Sequence, residues 1–424
     1  MNSVLKTMLL EWRDRPLPQI IDRDEPLMVE DMPAGKALVV TGFRRVGKTY
    51  LLFHAIKKLL NSYSRSEIVY LNFEDERIPL STQVLTNLIP EIQAVFGQKP
   101  KFLFLDEIQN MPHWSKWLRR ILDIQQIKIV VTGSSSKVSS LEIPTELRGR
   151  AWEKMVFPLN FKEFLRFKGQ AFDFQKIKYV LEEQAKMHFL FEEYLKYGGL
   201  PEVVLIPTEK KPELLQNYFQ TVVRKEMIER FKIRNEEALK MSLKLVLNST
   251  YVTVSKLYNS FKSMGLPVGK TTLNNYLSFA ESAYFLKQLY FYSPSMRSQL
   301  QYPRKLHIID NGFITALSTK FSQNFGRLFE NLVFWHLFKN NDNIFYYRDE
   351  RGEVDLVVFQ DNQIKTLYQV CYDLSDRETL EREIKSLIRA GRKLKTIDLR
   401  VITLKAEEFP TSPKVKVISY FDIL

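Results

Sequence analysis

The sequence predicts an α/β protein: a three-layer N-terminal domain with a mainly parallel sheet, then a helical region, then a small α+β domain. Three observations carry this reading. Short apolar runs alternate with segments of helical spacing over the first 165 residues, the rhythm of strands buried on both faces and joined by crossover helices. The first run opens into Gly42, Phe43, Arg44, Arg45, Val46, Gly47, Lys48 and Thr49, which match the phosphate-loop pattern G-x-x-x-x-G-K-[ST] at every fixed position. The third run ends in two carboxylates, Asp106 and Glu107, at the strand edge where such sheets bind ligands.

Taken in order, residues 37–41 form the first strand, and Leu51, Leu52, Ala55, Ile56, Leu59 and Leu60 after the loop recur at helical spacing. Strand, glycine loop and helix N-terminus aim backbone N–H groups and the helix dipole at phosphate oxygens. Gly42, Phe43, Arg44, Arg45, Val46, Gly47, Lys48, Thr49 and the following Tyr50 are therefore the expected nucleotide-binding residues. Lys48 is expected on the terminal phosphates and Thr49 on Mg²⁺.

Further strands are expected at 68–73, 102–105, 127–132 and 154–157. Fifty-eight residues separate Lys48 from Asp106, enough to insert a strand between the two. In that layout Asp106 holds Mg²⁺ through its water shell, and Glu107 orients and polarises the attacking water. A helix-capping Asp-Glu pair is the alternative, and it is weaker because a phosphate loop needs a metal-binding acid from another strand. The fourth run leads through Gly133 to Ser134, a candidate γ-phosphate sensor or part of a Gly/Ser turn. Arg148 and Arg150 precede the fifth run. They are candidates to stabilise charge on a transferring phosphoryl group, in cis or from a neighbouring subunit; a solvated arginine loop is the alternative.

At this point the residues resemble a known family. GFRRVGKT at 42–49, FLDEIQ at 104–109, VTGSSS at 131–136, LRGR at 147–150 and FPLNFKEFL at 157–165 occur in this order in prokaryotic AAA-type ATPases that carry a C-terminal domain of unknown function. YGGLPE at 197–202, DNG at 310–312 and GEVD at 352–355 match as well, so the resemblance runs along nearly the whole chain. It implies an ATP-binding, AAA-like P-loop ATPase domain. A preference for ATP over GTP rests on this resemblance, and the lack of an N-K-x-D guanine-reading motif agrees with it.

The expected boundaries are 1–165 for the ATPase domain, 166–234 for a helical lid or linker, 235–312 for a winged-helix region and 313–424 for the last domain. In the third of these, helices around 238–248, 254–261 and from 269 onward precede two strand-like runs at 285–292 and 304–309, with Arg297, Arg304 and Lys305 in or near the wing. Thr271 or Thr272 suits the N-cap of the second helix of the helix-turn-helix. If that helix enters a DNA major groove, Lys270, Asn274 and Asn275 form its reading face; protein contact or plain packing is the alternative.

The last hundred residues resemble a restriction-endonuclease-like core: helix, three strands, helix, strand. In such nucleases an Asp on the second strand, and a Glu or Asp two residues before a lysine on the third, hold Mg²⁺ and stabilise charge. Asp355 matches the first acid and Glu330 a helix acid, but the third strand carries Gln369, Val370 and Cys371. Gln369 is a poorer ligand for a hard cation than a carboxylate, and Lys365 is the nearest lysine in sequence. The expectation is a nuclease-like fold that has lost cleavage.

Composition bounds the rest. A chain of 424 residues with 45% hydrophobic content supports two to four domains with full cores. Its one cysteine, Cys371, excludes an intramolecular disulfide and a cysteine zinc cluster. The apolar stretch near the N-terminus is interrupted by Glu11 and Asp14, too short for a secretory signal. No run reaches the ~18 apolar residues of a membrane span, so the expected location is cytoplasmic with no membrane partner. A net charge of +13 favours a polyanion such as double-stranded DNA. The function expected is a Mg²⁺-dependent ATPase acting as a switch or remodeller, DNA-coupled or protein-coupled and able to self-associate. The alternatives are a non-hydrolysing ATP-binding scaffold for DNA or protein, and an ATP-gated nuclease, against which Gln369 and Cys371 argue.

Overall fold

The structure is a computed structural model that describes residues 2–133, 147, 149–171, 180–318, 324–341, 343–372, 377–406 and 414–424. The chain divides into two compact units, residues 1–157 with 282–284, and residues 158–281 with 285–424.

The first unit opens with helix α1 (Asn2–Asp14), which buries Leu5, Met8, Leu9 and Trp12. Their spacing of three and four is one face of a helix, and Trp12 Nε1 donates to the Ile68 carbonyl at 2.8 Å. Strand β1 (Ala37–Gly42) leads through the glycine loop into helix α2 (Lys48–Leu59). Then follow β2 (Ile68–Asn72), α3 (Thr82–Phe96), β3 (Phe102–Asp106), α4 (Trp114–Ile124), β4 (Lys128–Thr132) and β5 (Ala151–Val156).

The sheet order is β2-β3-β4-β1-β5, and every pairing in it is parallel. The stretch between Lys48 and Asp106 supplies β2, which lies at the sheet edge, whereas the strand between the loop-bearing β1 and the acid-bearing β3 is β4, from further along the chain. Successive side chains on a strand point to opposite faces. Val39, Val69, Leu71, Leu103, Leu105, Ile129 and Val131 form one cluster with α1, α3 and α4 residues such as Leu9, Leu88 and Leu118. Leu38, Val40, Ile68, Phe104 and Val130 on the other face are buried as well. Burial on both faces explains why these strands read as continuous apolar runs rather than alternating ones.

The second unit begins with α5 (Phe161–Phe167), capped by Asn160 in a capping box with Glu163. Helices α6 (Leu181–Tyr197), α7 (Pro201–Leu205) and α8 (Lys211–Val222) follow. Next come α9 (Glu236–Leu247), β6 (Tyr251–Val252), α10 (Val254–Ser263), α11 (Lys270–Ser282), β7 (Leu286–Leu289), α12 (Met296–Gln301) and β8 (Arg304–Ile308). The three short strands form an antiparallel sheet of order β6-β8-β7. Helix α11 begins at Lys270, so Thr271 and Thr272 lie in its first turn; neither is the N-cap that the sequence suggested.

Helix α13 (Asn311–Leu317) is capped by Asp310, whose carboxylate accepts from Gly312 N at 2.8 Å and from Gly199 N at 2.7 Å. The YGGLPE and DNG motifs thus meet at one buried carboxylate. Gly198 has φ +75°, and a Cβ there would stand 1.7 Å from Asp310 Oδ1, so only glycine fits.

The chain closes with α14 (Phe325–Phe338), β9 (Ile344–Asp349), β10 (Gly352–Gln360), β11 (Gln363–Val370), α15 (Arg377–Leu394), β12 (Leu399–Thr403) and β13 (Lys416–Ser419). This sheet has the order β13-β12-β11-β10-β9, antiparallel from β9 to β11 and parallel from β11 to β13. The expected helix, three strands, helix, strand is present, with β13 added at its edge. No helix among the described residues is long and apolar enough to cross a membrane.

Candidate functional site

The glycine loop lies at the C-terminal edge of β1 and is shaped by left-handed backbone at Arg45 (φ 70°) and Gly47 (φ 93°). Gly42 has φ 138°, and a Cβ there would come within 2.4 Å of the Val156 carbonyl on β5. The loop can therefore follow the sheet edge only without a side chain at this point. Gly47 caps α2 without a side-chain bond, so the first N–H groups of the helix have no intrahelical acceptor and face outward as an anion site. Lys48 is buried, with Nζ donating to the carbonyls of Gly42 at 3.1 Å and Phe43 at 3.2 Å. Arg44 pairs with Glu74 at 2.8 Å, Tyr50 is exposed on α2, and Arg23 braces the loop by donating to the carbonyls of Val46 at 3.1 Å and Phe157 at 3.0 Å.

The tip of β3 stands beside this loop. Asp106 is 1% exposed and accepts three hydroxyl bonds. Thr49 Oγ1 and Tyr70 OH donate to Oδ2 at 2.7 and 2.9 Å, and Thr132 Oγ1 donates to Oδ1. Burial and the neighbouring Glu107 charge push the Asp106 carboxyl above its usual range, against the three hydroxyl donors. Burial, with Asp106 close by, likewise raises the Tyr70 phenol. Hydroxyl plus carboxylate is the hard oxygen donor set that Mg²⁺ takes.

Glu107 follows in left-handed backbone, φ 53°, a conformation that costs a non-glycine residue on the order of 1 kcal/mol. Its N–H donates to Thr132 Oγ1 at 2.9 Å, and its Oε2 accepts from Gln109 Nε2. Both bonds hold the turn that presents the partly exposed carboxylate beyond the strand edge.

Sequence reasoning missed Tyr70, Thr132 and Gln109. Thr132 carries a detectable signal, a polar residue ending an apolar strand one strand away from Asp106. Tyr70 carries none, since an aromatic residue within a strand is ordinary core material. Ser134 and Arg148 lie outside the described residues. Arg150 is not brought to the site in cis. Its carbonyl bonds to Ala37 N at the start of β1, and its guanidinium pairs with Asp123 on α4. That is the sheet edge opposite the loop, roughly 17 Å away at the rise of a strand.

In the second unit, Lys270 and Asn275 are exposed on α11, whereas Asn274 is half-buried and accepts from Arg304 at 3.4 Å. Lys305 is not a solvent-facing wing residue: it is 1% exposed, with Nζ 2.7 Å from Glu330, 2.6 Å from Glu353 and 3.0 Å from Asp355. The structure thus joins Glu330 and Asp355, as expected, and supplies a lysine from β8 that spacing could not indicate. Lys365 is exposed and bonds to Gln360 at 2.5 Å. Burial pushes the Cys371 thiol up to about 12, which makes it inert as a nucleophile at neutral pH.

A family model described as an AAA domain matches residues 34–165. Two described as domains of unknown function, DUF8612 and DUF4143, match residues 188–324 and 325–422. The uncharacterized protein MJ1544 of Methanocaldococcus jannaschii is 36% identical over 401 residues, covering 92% of this chain and 86% of that protein. An uncharacterized protein of Haemophilus influenzae is 29% identical over 345 residues, covering 80% and 83%. Among solved structures, the Aeropyrum pernix ORC1 protein in complex with DNA aligns at 13% identity over 74% of this chain and 90% of that chain, with a TM-score of 0.28, a likeness that carries no argument. The chain belongs to the family of prokaryotic P-loop ATPases in which an ATP-binding AAA domain is joined to two C-terminal domains of unknown function.

Proposed function

We propose that this chain is a Mg²⁺-dependent ATPase that works as a molecular switch or remodeller, with nucleotide held at residues 42–50. The observation that carries the reading is the shared carboxylate of Asp106, bonded at once to Thr49 of the loop and to Thr132 of β4. The loop N–H groups and Lys48 bind and orient the phosphates. Thr49 and Asp106 are the hard oxygen donors for the ion, directly or through its water shell. When bound, Mg²⁺ supplies Lewis-acid stabilisation of the phosphate oxygens. Glu107, steadied by Gln109 and Thr132, accepts a proton from the attacking water.

For the partner, we propose double-stranded DNA contacted by the exposed face of α11, with Lys270, Thr271, Thr272 and Asn275. The order helix, strand, helix, helix, strand, short helix, strand with sheet order β6-β8-β7 supports a winged helix at 235–312, and the +13 charge supports a polyanion. Asn274 drops out of the reading face because Arg304 engages it.

The test is steady-state ATP hydrolysis with Mg²⁺, with and without mixed-sequence double-stranded DNA, beside Glu107→Gln. Turnover that DNA stimulates and the variant abolishes is the expected result. Turnover indifferent to DNA removes the DNA partner and leaves a protein-coupled switch. Nucleotide binding without turnover in either protein leaves an ATP-binding scaffold and overturns the ATPase.

A further inference from the structure

Within the second unit, helix α15 and the turn between β9 and β10 form a groove of about 420 Å³, the size of a small-molecule site. It is lined by Arg351 of the turn and by Glu381, Arg382, Lys385, Ser386 and Arg389 of α15. Positions 382, 385, 386 and 389 are three and four apart and so share one face of the helix. Four cations thus stand against one carboxylate, and no apolar or aromatic side chain is among the lining residues. The close approach of turn and helix depends on Gly352. A Cβ there would stand 2.0 Å from Ser386 Oγ and 3.0 Å from Arg389 Nη2. Any side chain would push the turn off α15 and carry Arg351 away from the other cations, which gives the glycine of the GEVD motif a task.

The polar groups of the groove differ in what already holds them. Arg389 Nε and Nη2 donate to the Asp349 carboxylate at 3.0 and 2.9 Å, a two-pronged bond that fixes the guanidinium plane. Arg382 and Lys385 are exposed and make single contacts of 3.3 Å with Glu383 and Glu381, pairs that water screens and an anionic ligand can replace. Arg351 is exposed, and its guanidinium pairs with no carboxylate among the described residues. Ser386 is 3% exposed, and its hydroxyl bonds to no group among the described residues. A hydroxyl so deeply set ordinarily has an acceptor, and an anion in the groove supplies one.

We propose that this groove binds a compact polyphosphate of two or three linked phosphate groups, with Arg351, Arg382, Lys385 and Arg389 on its oxygens and Ser386 donating to it. Guanidinium groups match phosphate oxygens in pairs. Seven residues separate Arg382 from Arg389, about 10 Å along a helix, a span that linked phosphates match better than one phosphate does. The source is either an inorganic chain or the phosphate tail of a nucleotide, and the lining offers no surface on which a base could stack.

The test is calorimetric titration of the full chain with tripolyphosphate in EDTA, with Lys48→Ala to disable the phosphate loop and Arg351→Gln with Arg382→Gln to disable the groove. Both arginines are exposed, so circular dichroism should be unchanged by the double substitution. The expected result is one site per chain that survives Lys48→Ala and weakens about 10-fold or more when the two arginines are replaced. Ser386→Ala should weaken it several-fold. In the Lys48→Ala chain, ATP that binds the groove no tighter than tripolyphosphate assigns recognition to the phosphates alone. Tighter binding of ATP, still lost with the two arginines, assigns a nucleotide as the source. If Lys48→Ala does not fold, the unsubstituted chain must lose one site in the double variant. A site count and affinity that the double substitution leaves unchanged overturn the proposal. Displacement of tripolyphosphate from the groove by mixed-sequence double-stranded DNA at matched ionic strength also overturns it, and assigns the groove to a nucleic-acid backbone.

Discussion

Thr49 donates its hydroxyl to Asp106 at 2.7 Å across a separation of 57 residues, which fixes the phosphate loop to the tip of a strand that is not its neighbour in the sheet. With β4 between β1 and β3, the β3 tip reaches the loop past Thr132, which donates to the same carboxylate. Replacing Asp106 by Asn removes the charge while preserving the shape. The expected outcome is a fall in Mg²⁺-dependent ATP hydrolysis of about 100-fold or more. Nucleotide affinity in EDTA should change far less, since the loop N–H groups do not depend on the carboxylate. Equal losses with and without Mg²⁺ would remove Asp106 from metal binding.

Tyr70 touches the same carboxylate oxygen as Thr49 but stands one strand further from the loop. It acts through Asp106 and is a positioning residue. Tyr70→Phe is expected to raise the Mg²⁺ concentration needed for half-maximal hydrolysis about 10-fold, the usual scale for partners of metal ligands. The rate at saturating Mg²⁺ should stay close to that of the unsubstituted protein. A fall in the saturated rate with unchanged Mg²⁺ dependence would contradict this role.

Two glycines with positive φ separate backbone strain from steric exclusion. Gly42→Ala places a Cβ 2.4 Å from the Val156 carbonyl at φ 138°, whereas Gly97→Ala at φ 74° meets nothing within 4 Å. Gly97→Ala is expected to cost about 1 kcal/mol, the cost of left-handed backbone alone. Gly42→Ala is expected to cost more than about 3 kcal/mol, since both strands must shift. Urea unfolding of the two variants compares them directly, and equal costs would show that the β1–β5 edge yields.

Arg150 shows how an arginine just before the strand that pairs with the loop-bearing β1 can be remote from the loop in space. It pairs with Asp123 at the far edge of the sheet, so Arg150→Ala should leave turnover within about two-fold under conditions where the chain is monomeric. A surface pair of this kind contributes at most about 1 kcal/mol to stability. A loss of about 100-fold that depends on protein concentration would mean that the guanidinium acts on a neighbouring subunit.

The first unit is legible in the sequence because β1, β3 and β4 are buried on both faces and end in residues the chemistry needs, Gly42, Asp106 and Thr132. The apolar runs marked β1 to β5 to within a few residues, and the loop and Asp106-Glu107 marked the site edge. Helix α1 reads in the sequence as a terminal apolar stretch, although Leu5, Met8, Leu9 and Trp12 carry its helical period. The hydroxyls of Tyr70 and Thr132 were hidden because their role depends on sheet order, a property of pairing and not of spacing. The same limit applies to Lys305: a lysine between Arg304 and Leu306 reads as part of a basic wing, and only the packing of β8 on β10 turns it into the partner of Glu330, Glu353 and Asp355.

His336 makes stability depend on pH. It lies on α14 with its ring 5.8 Å from that of Tyr420. Burial first, then the nearby Lys339, lowers its imidazole from 6.5 to about 4. Its pKa is thus lower in the folded than in the unfolded chain, and between those two values the unfolded chain binds the extra proton. Stability contributed by the neutral ring is therefore fully present above pH 6.5 and declines as pH falls toward 4. The full interval corresponds to about 3 kcal/mol, and partial exposure of the ring reduces it to about 2 kcal/mol. His336→Gln keeps a hydrogen-bonding side chain but does not titrate. Urea unfolding of the full chain at pH 7 and pH 5 should show a smaller loss on acidification for the variant than for the unsubstituted protein. Identical losses would mean that the ring is already solvated in the folded state.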